Sequence, residues 1–154
     1  MLVMGILNVT PDSFADGGLH YDTEIAIARG MEMIDEGVDI IDVGGESTRP
    51  GADRVSEEEE QARVLPVIRA LAESKVVMSI DTMRASTARL AVEAGASIVN
   101  DVSGGAADPD MFATVADLGV QDLRRGLREV HGQPFRRALD RMGAMLVHRL
   151  DPLR

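Results

Sequence analysis

The sequence repeats one pattern four times: a short, continuously apolar run is followed by a stretch with helical spacing. The apolar runs, of which the last two are rich in Val and Ile, are Leu2–Leu7, Val38–Val43, Val76–Ile80 and Ala96–Val102. Continuous rather than alternating apolarity is typical of parallel strands that are buried on both faces. Successive strand–helix units form a parallel sheet with right-handed crossovers. We therefore predict an α/β fold, either a doubly wound sheet or a (β/α)8 barrel.

The predicted helices carry signals for where they begin and end. Three of them stop at a glycine, the residue that most readily adopts the left-handed conformation after a helix: Gly37, Gly95 and Gly119. Ser56 followed by Glu59 predicts a capping box at the start of the second helix. Asp108 before Pro109 predicts the N-cap of the fourth helix. We interpret the acidic run Glu57–Glu60 as a solvated first turn that the helix dipole favours.

Composition narrows the class of protein. A chain of 154 residues with 45% apolar and 27% charged residues is typical of one globular domain. The absence of cysteine excludes disulfides and thiolate metal sites. A net charge of −10 disfavours nucleic acid and anionic membranes as partners. The apolar N-terminus has no basic flank and no apolar run reaches about 18 residues. We therefore expect no signal peptide, no membrane span and a cytoplasmic location.

The charge of the chain changes sign near residue 120. Residues 1–120 contain 22 acidic and 8 basic side chains, whereas residues 121–154 contain 4 acidic side chains and 8 arginines. We predict four parallel (β/α) units in residues 1–120 and an atypical Arg-rich helical tail in residues 121–154. The family resemblance given below implies that the first segment is a partial (β/α) barrel, with a fifth strand due near Val120 that the Arg-rich sequence does not predict. We interpret the tail as an out-of-frame or truncated gene product, and a natural helix pair is the alternative.

Polar side chains follow each predicted strand, and ligands of parallel α/β folds bind at the carboxyl ends of the strands. The loop with Ser47, Thr48 and Arg49 combines glycines, hydroxyls and a guanidinium, which suits a phosphate group without matching a P-loop. A carboxylate beside an amide can read the edge of a heterocycle, and an amide oxygen suits Mg²⁺. The candidates for these tasks are Asp81 with Asn100 for the heterocycle and Asn8 for the metal.

Four strings carry a resemblance to a known family. They are MGILNVTPDSFADGG (4–18), DVGGESTRPGA (42–52), SIDTMRA (79–85) and VNDVSGG (99–105). They strongly resemble dihydropteroate synthases, which are pterin-binding (β/α)8 barrels, over residues 2 to about 119. The resemblance implies a transferase of folate synthesis and a sulfonamide target. Such an enzyme joins the pterin of dihydropterin methyl pyrophosphate to p-aminobenzoate and releases pyrophosphate.

The resemblance also implies roles for individual residues. Asn8 and Asp81 would be catalytic. Asn8 would hold Mg²⁺ and pyrophosphate. Two loop residues, Thr48 and Arg49, would contact pyrophosphate. Asp81 and Asn100 would bind the pterin ring. The p-aminobenzoate pocket would be formed by Phe14, Asp16 and Pro50.

Motifs of the family's second half do not occur in this sequence, namely Met-His-x-Arg, a D-P-G loop, Ser-Arg-Lys and Arg-x-His. Lys75 is the only lysine. We therefore expect weak or no synthase activity from the isolated chain, and two half-barrels pairing as a homodimer are one way to cover its open edges. The alternatives are a non-catalytic pterin-binding or assembly module and a methyltransferase that passes methyl from a folate to a corrinoid.

Overall fold

The computed structural model describes residues 2–10, 18–46, 54–74 and 76–122. Within them strands and helices alternate strictly along the chain. In order, the elements are β1 (Met4–Asn8), α1 (Gly18–Asp35), β2 (Ile40–Gly44), α2 (Glu57–Leu71), β3 (Val77–Asp81), α3 (Ala85–Glu93), β4 (Ile98–Asn100), α4 (Met111–Leu118) and β5 (Gln121–Asp122). The predicted strand–helix units are confirmed, with strand bounds shifted by a few residues.

All strands lie in one parallel sheet in the order β1-β2-β3-β4-β5. Each strand therefore pairs with the next one along the chain. A doubly wound sheet reverses its strand order at a switch point, whereas a (β/α)8 barrel does not. Of the two architectures that the sequence left open, the strand order matches the barrel.

The fifth strand is a feature that the sequence did not predict. Gln121 and Asp122 pair in parallel with Ile98 and Val99, so the sheet continues past the predicted boundary at residue 120. Neither Gln nor Asp favours strands, and the strand exists because the β4 backbone offers hydrogen-bond partners at that place. The predicted helical tail lies outside the described residues from 123 onward.

One face of the sheet packs against the helices and forms the main core. Alternate strand residues point to this face, and they include Leu7, Ile41, Val43, Met78, Ile80 and Val99, all at most 2% exposed. Helix α2 contributes Val64, Val67, Ile68 and Leu71 to the same core. Helix α1 approaches α2 closely at Gly30, where a Cβ would lie 2.4 Å from Cδ1 of Leu71. A side chain at position 30 would separate the two helices.

The opposite face changes character along the strands. Near the amino ends it is apolar, where Ile40 and Ile98 pack with Leu2, Met4 and Val77. Further along, Asp42 and Ser79 occupy paired positions and are almost fully buried. The polar side chains on this face thus begin in mid-strand and continue to the carboxyl ends.

The helix ends confirm most of the predicted signals. The Ser56 side chain accepts a hydrogen bond from the backbone N of Glu59 at 3.1 Å, which confirms Ser56 as the N-cap of α2, while the Glu59 carboxylate pairs with Arg63. Gly119 follows α4 in the left-handed conformation, with φ of 63°. The N-cap of α4 is Asp110, two residues after the predicted Asp108. Asp108 still accepts a hydrogen bond through Oδ1 from the backbone N of Asp110 at 2.9 Å, and its Oδ2 accepts one at 2.8 Å from the backbone N of Ala85, the first residue of α3.

Glu60 is the exception within the acidic first turn of α2. Its side chain is buried and accepts hydrogen bonds from the hydroxyls of Thr82 and Thr87, both at 2.8 Å. The other three glutamates of this turn are exposed. The interpretation of the run as solvated therefore holds for these three and is wrong for Glu60, which joins α2 to the loop after β3. Among the described residues no helix is long and apolar enough to cross a membrane.

Candidate functional site

Three predicted site residues lie in one row across the carboxyl edge of the sheet. Asn8 pairs in register with Gly44, Gly44 with Asp81, and Asp81 with Asn100. These positions are the last residue of each of the first four strands. Because they pair in register, they share one face of the sheet. Neighbouring strands lie about 4.8 Å apart, which puts the backbone of Asp81 next to that of Asn100 and about 10 Å from that of Asn8. The row can therefore bind one elongated ligand at two separate points.

Gly44 leaves a gap in the middle of this row. A Cβ at position 44 would lie 3.6 Å from Oδ1 of Asn8, 3.6 Å from Cβ of Asp81 and 3.8 Å from Oδ2 of Asp81. An amide oxygen and a carboxylate oxygen thus flank space that any larger residue would fill. The glycine lets a ligand lie against the backbone of β2 between them.

Asp42 is a site residue to which the sequence analysis gave no role. It is 1% exposed, and its Oδ2 accepts a hydrogen bond from Nδ2 of Asn100 at 2.8 Å. A carboxylate accepts only from the NH₂ group, so this contact fixes which way the Asn100 amide points. The available signal was a single acid within an otherwise apolar strand, IIDVG.

Ser79 lies one strand further along, in register with Asp42. It is fully buried, and its Oγ has no hydrogen-bond partner among the described residues. A buried hydroxyl without a partner is costly unless water or a ligand satisfies it. The inner face of β2 and β3 therefore presents polar atoms below the row as well as along it.

The loop after β4 is shaped by Asp101 rather than by a ligand. This buried carboxylate accepts hydrogen bonds from the backbone N of Ser103 and of Gly105, both at 2.7 Å. Gly104 and Gly105 adopt φ of 65° and 81°, a region that favours glycine. The SGG sequence thus serves the turn that follows Asn100.

The donors at the row suit a divalent cation that takes most of its ligands from elsewhere. No group of three or more His, Asp or Glu side chains with metal-binding spacing occurs among the described residues. Asn8 and Asp81 nevertheless direct hard oxygen atoms toward the Gly44 gap from both sides. Mg²⁺ keeps several waters and commonly binds through one or two protein oxygens plus ligand phosphates. The Asn8 oxygen beside the gap fits Mg²⁺ bound in this way.

The remaining predicted site residues lie outside the described part of the chain. They are Phe14, Asp16, Thr48, Arg49 and Pro50. Their assignment to the pyrophosphate and the p-aminobenzoate pocket stays a prediction.

The comparisons with known proteins agree with this geometry. The family model of pterin binding enzymes matches residues 4–125, so the chain belongs to the pterin-binding enzyme family. Among its members the chain is similar to dihydropteroate synthases. It is 51% identical to the one from Bacillus subtilis over 146 residues, covering 94% of this chain and 50% of the relative. It is 53% identical to that of Mycobacterium leprae over 118 residues, covering 77% of this chain and 42% of the relative.

Solved structures of dihydropteroate synthases share the fold. The enzyme from Clostridium difficile, determined in the presence of pteroic acid, gives a TM-score of 0.75 at 47% identity and covers 79% of this chain and 46% of its own. That of Xanthomonas albilineans with 7,8-dihydropteroate gives 0.69 at 44% identity, covering 79% of this chain and 44% of its own. The same enzyme with 4-aminobenzoic acid gives 0.74 at 42% identity, covering 93% and 55%.

Two facts follow from the coverage of these alignments. The chain spans about half the length of the curated relatives it matches. The match to the Bacillus subtilis enzyme covers 94% of the chain, so it extends beyond residue 120 into the segment predicted to be unlike the family.

Proposed function

We propose that this chain supplies the pterin and pyrophosphate contacts of a dihydropteroate synthase. The reaction would join dihydropterin methyl pyrophosphate to p-aminobenzoate. The observation that carries the proposal is the row of Asn8, Gly44, Asp81 and Asn100 at the carboxyl edge of the sheet. Solved relatives of the same fold were determined with 7,8-dihydropteroate and with 4-aminobenzoic acid. These ligands favour the synthase over a corrinoid methyltransferase.

The spacing of the row suits the shape of this substrate. Asp81 and Asn100 are adjacent, so a carboxylate and an oriented amide face the same heterocycle edge. The carboxylate accepts N–H bonds from the pterin, and the amide oxygen accepts another. Asn8 lies about two strand spacings away, roughly 10 Å, where the methylene and the two phosphates extend.

The chemistry is a displacement at the methylene carbon. The C–O bond to pyrophosphate breaks, the neutral arylamine nitrogen forms the new C–N bond, and its proton leaves to solvent. The row acts by holding the pterin rigidly at Asp81 and Asn100 while Asn8 binds the phosphate end, which aligns the methylene for attack. Mg²⁺, when bound to the phosphates beside Asn8, supplies positive charge that stabilises the leaving pyrophosphate.

The proposal includes four further points. Phe14, Asp16 and Pro50 form the p-aminobenzoate pocket, which makes the chain a sulfonamide target. Thr48 and Arg49 contact pyrophosphate. Among the described residues β1 and β5 are the edges of the sheet, and a second copy of the chain covering them gives a homodimer. A chain without cysteine suits a reducing compartment, so we place it in the cytoplasm.

Thermal unfolding with and without ligand tests this proposal. A ligand at 100 times its Kd stabilises the folded state by about 2.7 kcal/mol, which raises Tm by roughly 10 °C. We expect this rise for the full chain with Mg²⁺ and the pterin pyrophosphate, and slow or absent pyrophosphate release when p-aminobenzoate is added. Turnover that matches a full-length synthase would contradict the expectation of weak activity.

A matched pair of variants locates the binding site. Asp81→Asn keeps the side-chain size and removes the acceptor charge, so it should abolish most of the ligand-induced rise in Tm. Asp117→Asn makes the same change on the exposed face of α4 and should leave the rise unchanged. An equal rise in both variants would overturn the assignment of the pterin to this row.

A further inference from the structure

Arg84 makes contacts that the reaction described above does not use. It follows β3 by three residues and directly precedes α3. Its Nη1 contacts Oε2 of Glu46 and Oε2 of Glu60, both at 2.9 Å, and its Nη2 donates to the backbone O of Val55 at 2.7 Å. Its backbone N donates to Oγ1 of Thr82 at 3.1 Å. We call Glu46, Val55, Glu60, Thr82 and Arg84 the Arg84 cluster.

The Arg84 cluster joins three parts of the chain that meet near the row of polar residues. Glu46 comes two residues after the Gly44 gap, and Val55 comes directly before the N-cap of α2. These two residues therefore stand on either side of positions 47–53 in the sequence, and one guanidinium holds both. A planar guanidinium can reach several oxygen atoms in fixed directions, which a lysine ammonium cannot do in the same way.

The cluster is shielded enough from water for these contacts to persist. The side chains of Arg84, Glu46 and Glu60 are 22%, 11% and 1% exposed. Burial disfavours the charged form of Arg84, but hydrogen bonds and charge from Glu60 and Glu46 outweigh it and raise the pKa above the usual value for arginine. The partly buried guanidinium is therefore stabilised in its charged form by these two carboxylates.

A second arginine strengthens the same attachment. Nη1 of Arg63, on α2, donates to the backbone O of Gly45 at 2.9 Å, and its Nη2 pairs with Glu59. Gly45 also packs directly on α2, since a Cβ there would lie 2.8 Å from Cγ1 of Val64. The backbone that leaves β2 is thus held by α2 and by the loop after β3.

We propose that Arg84 is a positioning residue for the anionic end of the ligand. It fixes Glu46, two residues after the Gly44 gap, and the backbone at Val55 relative to Asp81 on its own strand. This inference rests on the proposed function, because it assumes a pterin at Asp81 and phosphates beyond it. It assigns Arg84 no contact with the ligand.

The test compares two ligands by calorimetric titration of the full chain. One is 6-hydroxymethyl-7,8-dihydropterin, and the other is its pyrophosphate with Mg²⁺. Arg84→Met keeps the length of the side chain and removes its charge. We expect at least a tenfold loss of affinity for the pyrophosphate and less than a twofold change for the pterin alone. Arg84→Lys should recover part of the loss, and Arg89→Met, an exposed arginine of α3, should change neither affinity.

Each other outcome has a distinct meaning. Equal losses for both ligands, or no loss for either, would overturn the positioning role. If Arg84→Met does not unfold cooperatively, Glu46→Gln removes the negative charge that pairs with Arg84 on the β2 side, and a smaller loss with the same selectivity is expected. A wild-type chain that binds neither ligand would instead overturn the proposed function.

Discussion

Replacement of Gly44 by alanine should weaken ligand binding without harming the fold. The added methyl would lie 3.6 Å from Oδ1 of Asn8 and 3.6 Å from Cβ of Asp81, which is ordinary van der Waals contact. The φ of Gly44 is not in the left-handed region, so alanine adds no backbone strain. Glycine within a strand costs roughly 0.5–1 kcal/mol relative to alanine. Gly44→Ala should therefore unfold in urea at the same or a slightly higher concentration.

Binding should respond in the opposite direction. The methyl occupies the space between Asn8 and Asp81 through which a ligand spanning both must pass. We expect the Kd of the pterin pyrophosphate to rise at least tenfold, which corresponds to about 1.4 kcal/mol. Calorimetric titration in the presence of Mg²⁺ measures this change.

Gly45→Ala provides the control, because it adds the same methyl group at the neighbouring position. At Gly45 a Cβ would lie 2.8 Å from Cγ1 of Val64 and 3.1 Å from the backbone O of Glu60, so alanine there overpacks the contact with α2. Gly45→Ala should cost about 1–3 kcal/mol of unfolding free energy. Unchanged affinity in a stable Gly44→Ala protein would refute the view that the ligand crosses this gap.

Three further predictions concern stability in urea. Ser56→Ala removes the N-cap acceptor of α2 and should cost about 1 kcal/mol, and an unchanged midpoint would contradict the capping assignment. Asp108→Ala removes the acceptors for the first backbone N of α3 and for the backbone N of Asp110, and it should also cost about 1 kcal/mol, with a loss of amide protection confined to the starts of α3 and α4 as its signature. Glu60→Ala leaves the Thr82 hydroxyl and the Arg84 guanidinium without their buried acceptor and should cost about 3 kcal/mol. Glu58→Ala in the same turn should stay within about 0.5 kcal/mol, and similar values for the two variants would count against the buried network.

The sequence predicts those features that depend on local pattern. Continuous apolar runs locate the four main strands because a strand buried on both faces needs apolar residues at successive positions. Ser56 and Gly119 mark helix ends because a cap is a contact within a few residues. The row of Asn8, Asp81 and Asn100 is predictable as well, since the carboxyl ends of parallel strands meet at one edge.

Features that depend on contacts between residues far apart in the sequence could not be predicted from it. Glu60 resembles its exposed neighbours in sequence, and its burial depends on Thr82 and Thr87, more than 20 residues away. Asp108 has a local partner in the backbone N of Asp110, but its second partner, the first residue of α3, is 23 residues away. The fifth strand depends on the backbone of β4 rather than on its own residue types.

A sheet whose strands follow chain order can form while the chain is still being synthesised. Each new strand finds the preceding one already made, so no early strand has to wait for a distant partner. If the strands form in the order of synthesis, Asn8 and Gly44 come together first, Asp81 joins them next, and Asn100 completes the row last. The row is then incomplete until α3 and β4 have emerged, and the first units fold before a ligand can bind across it.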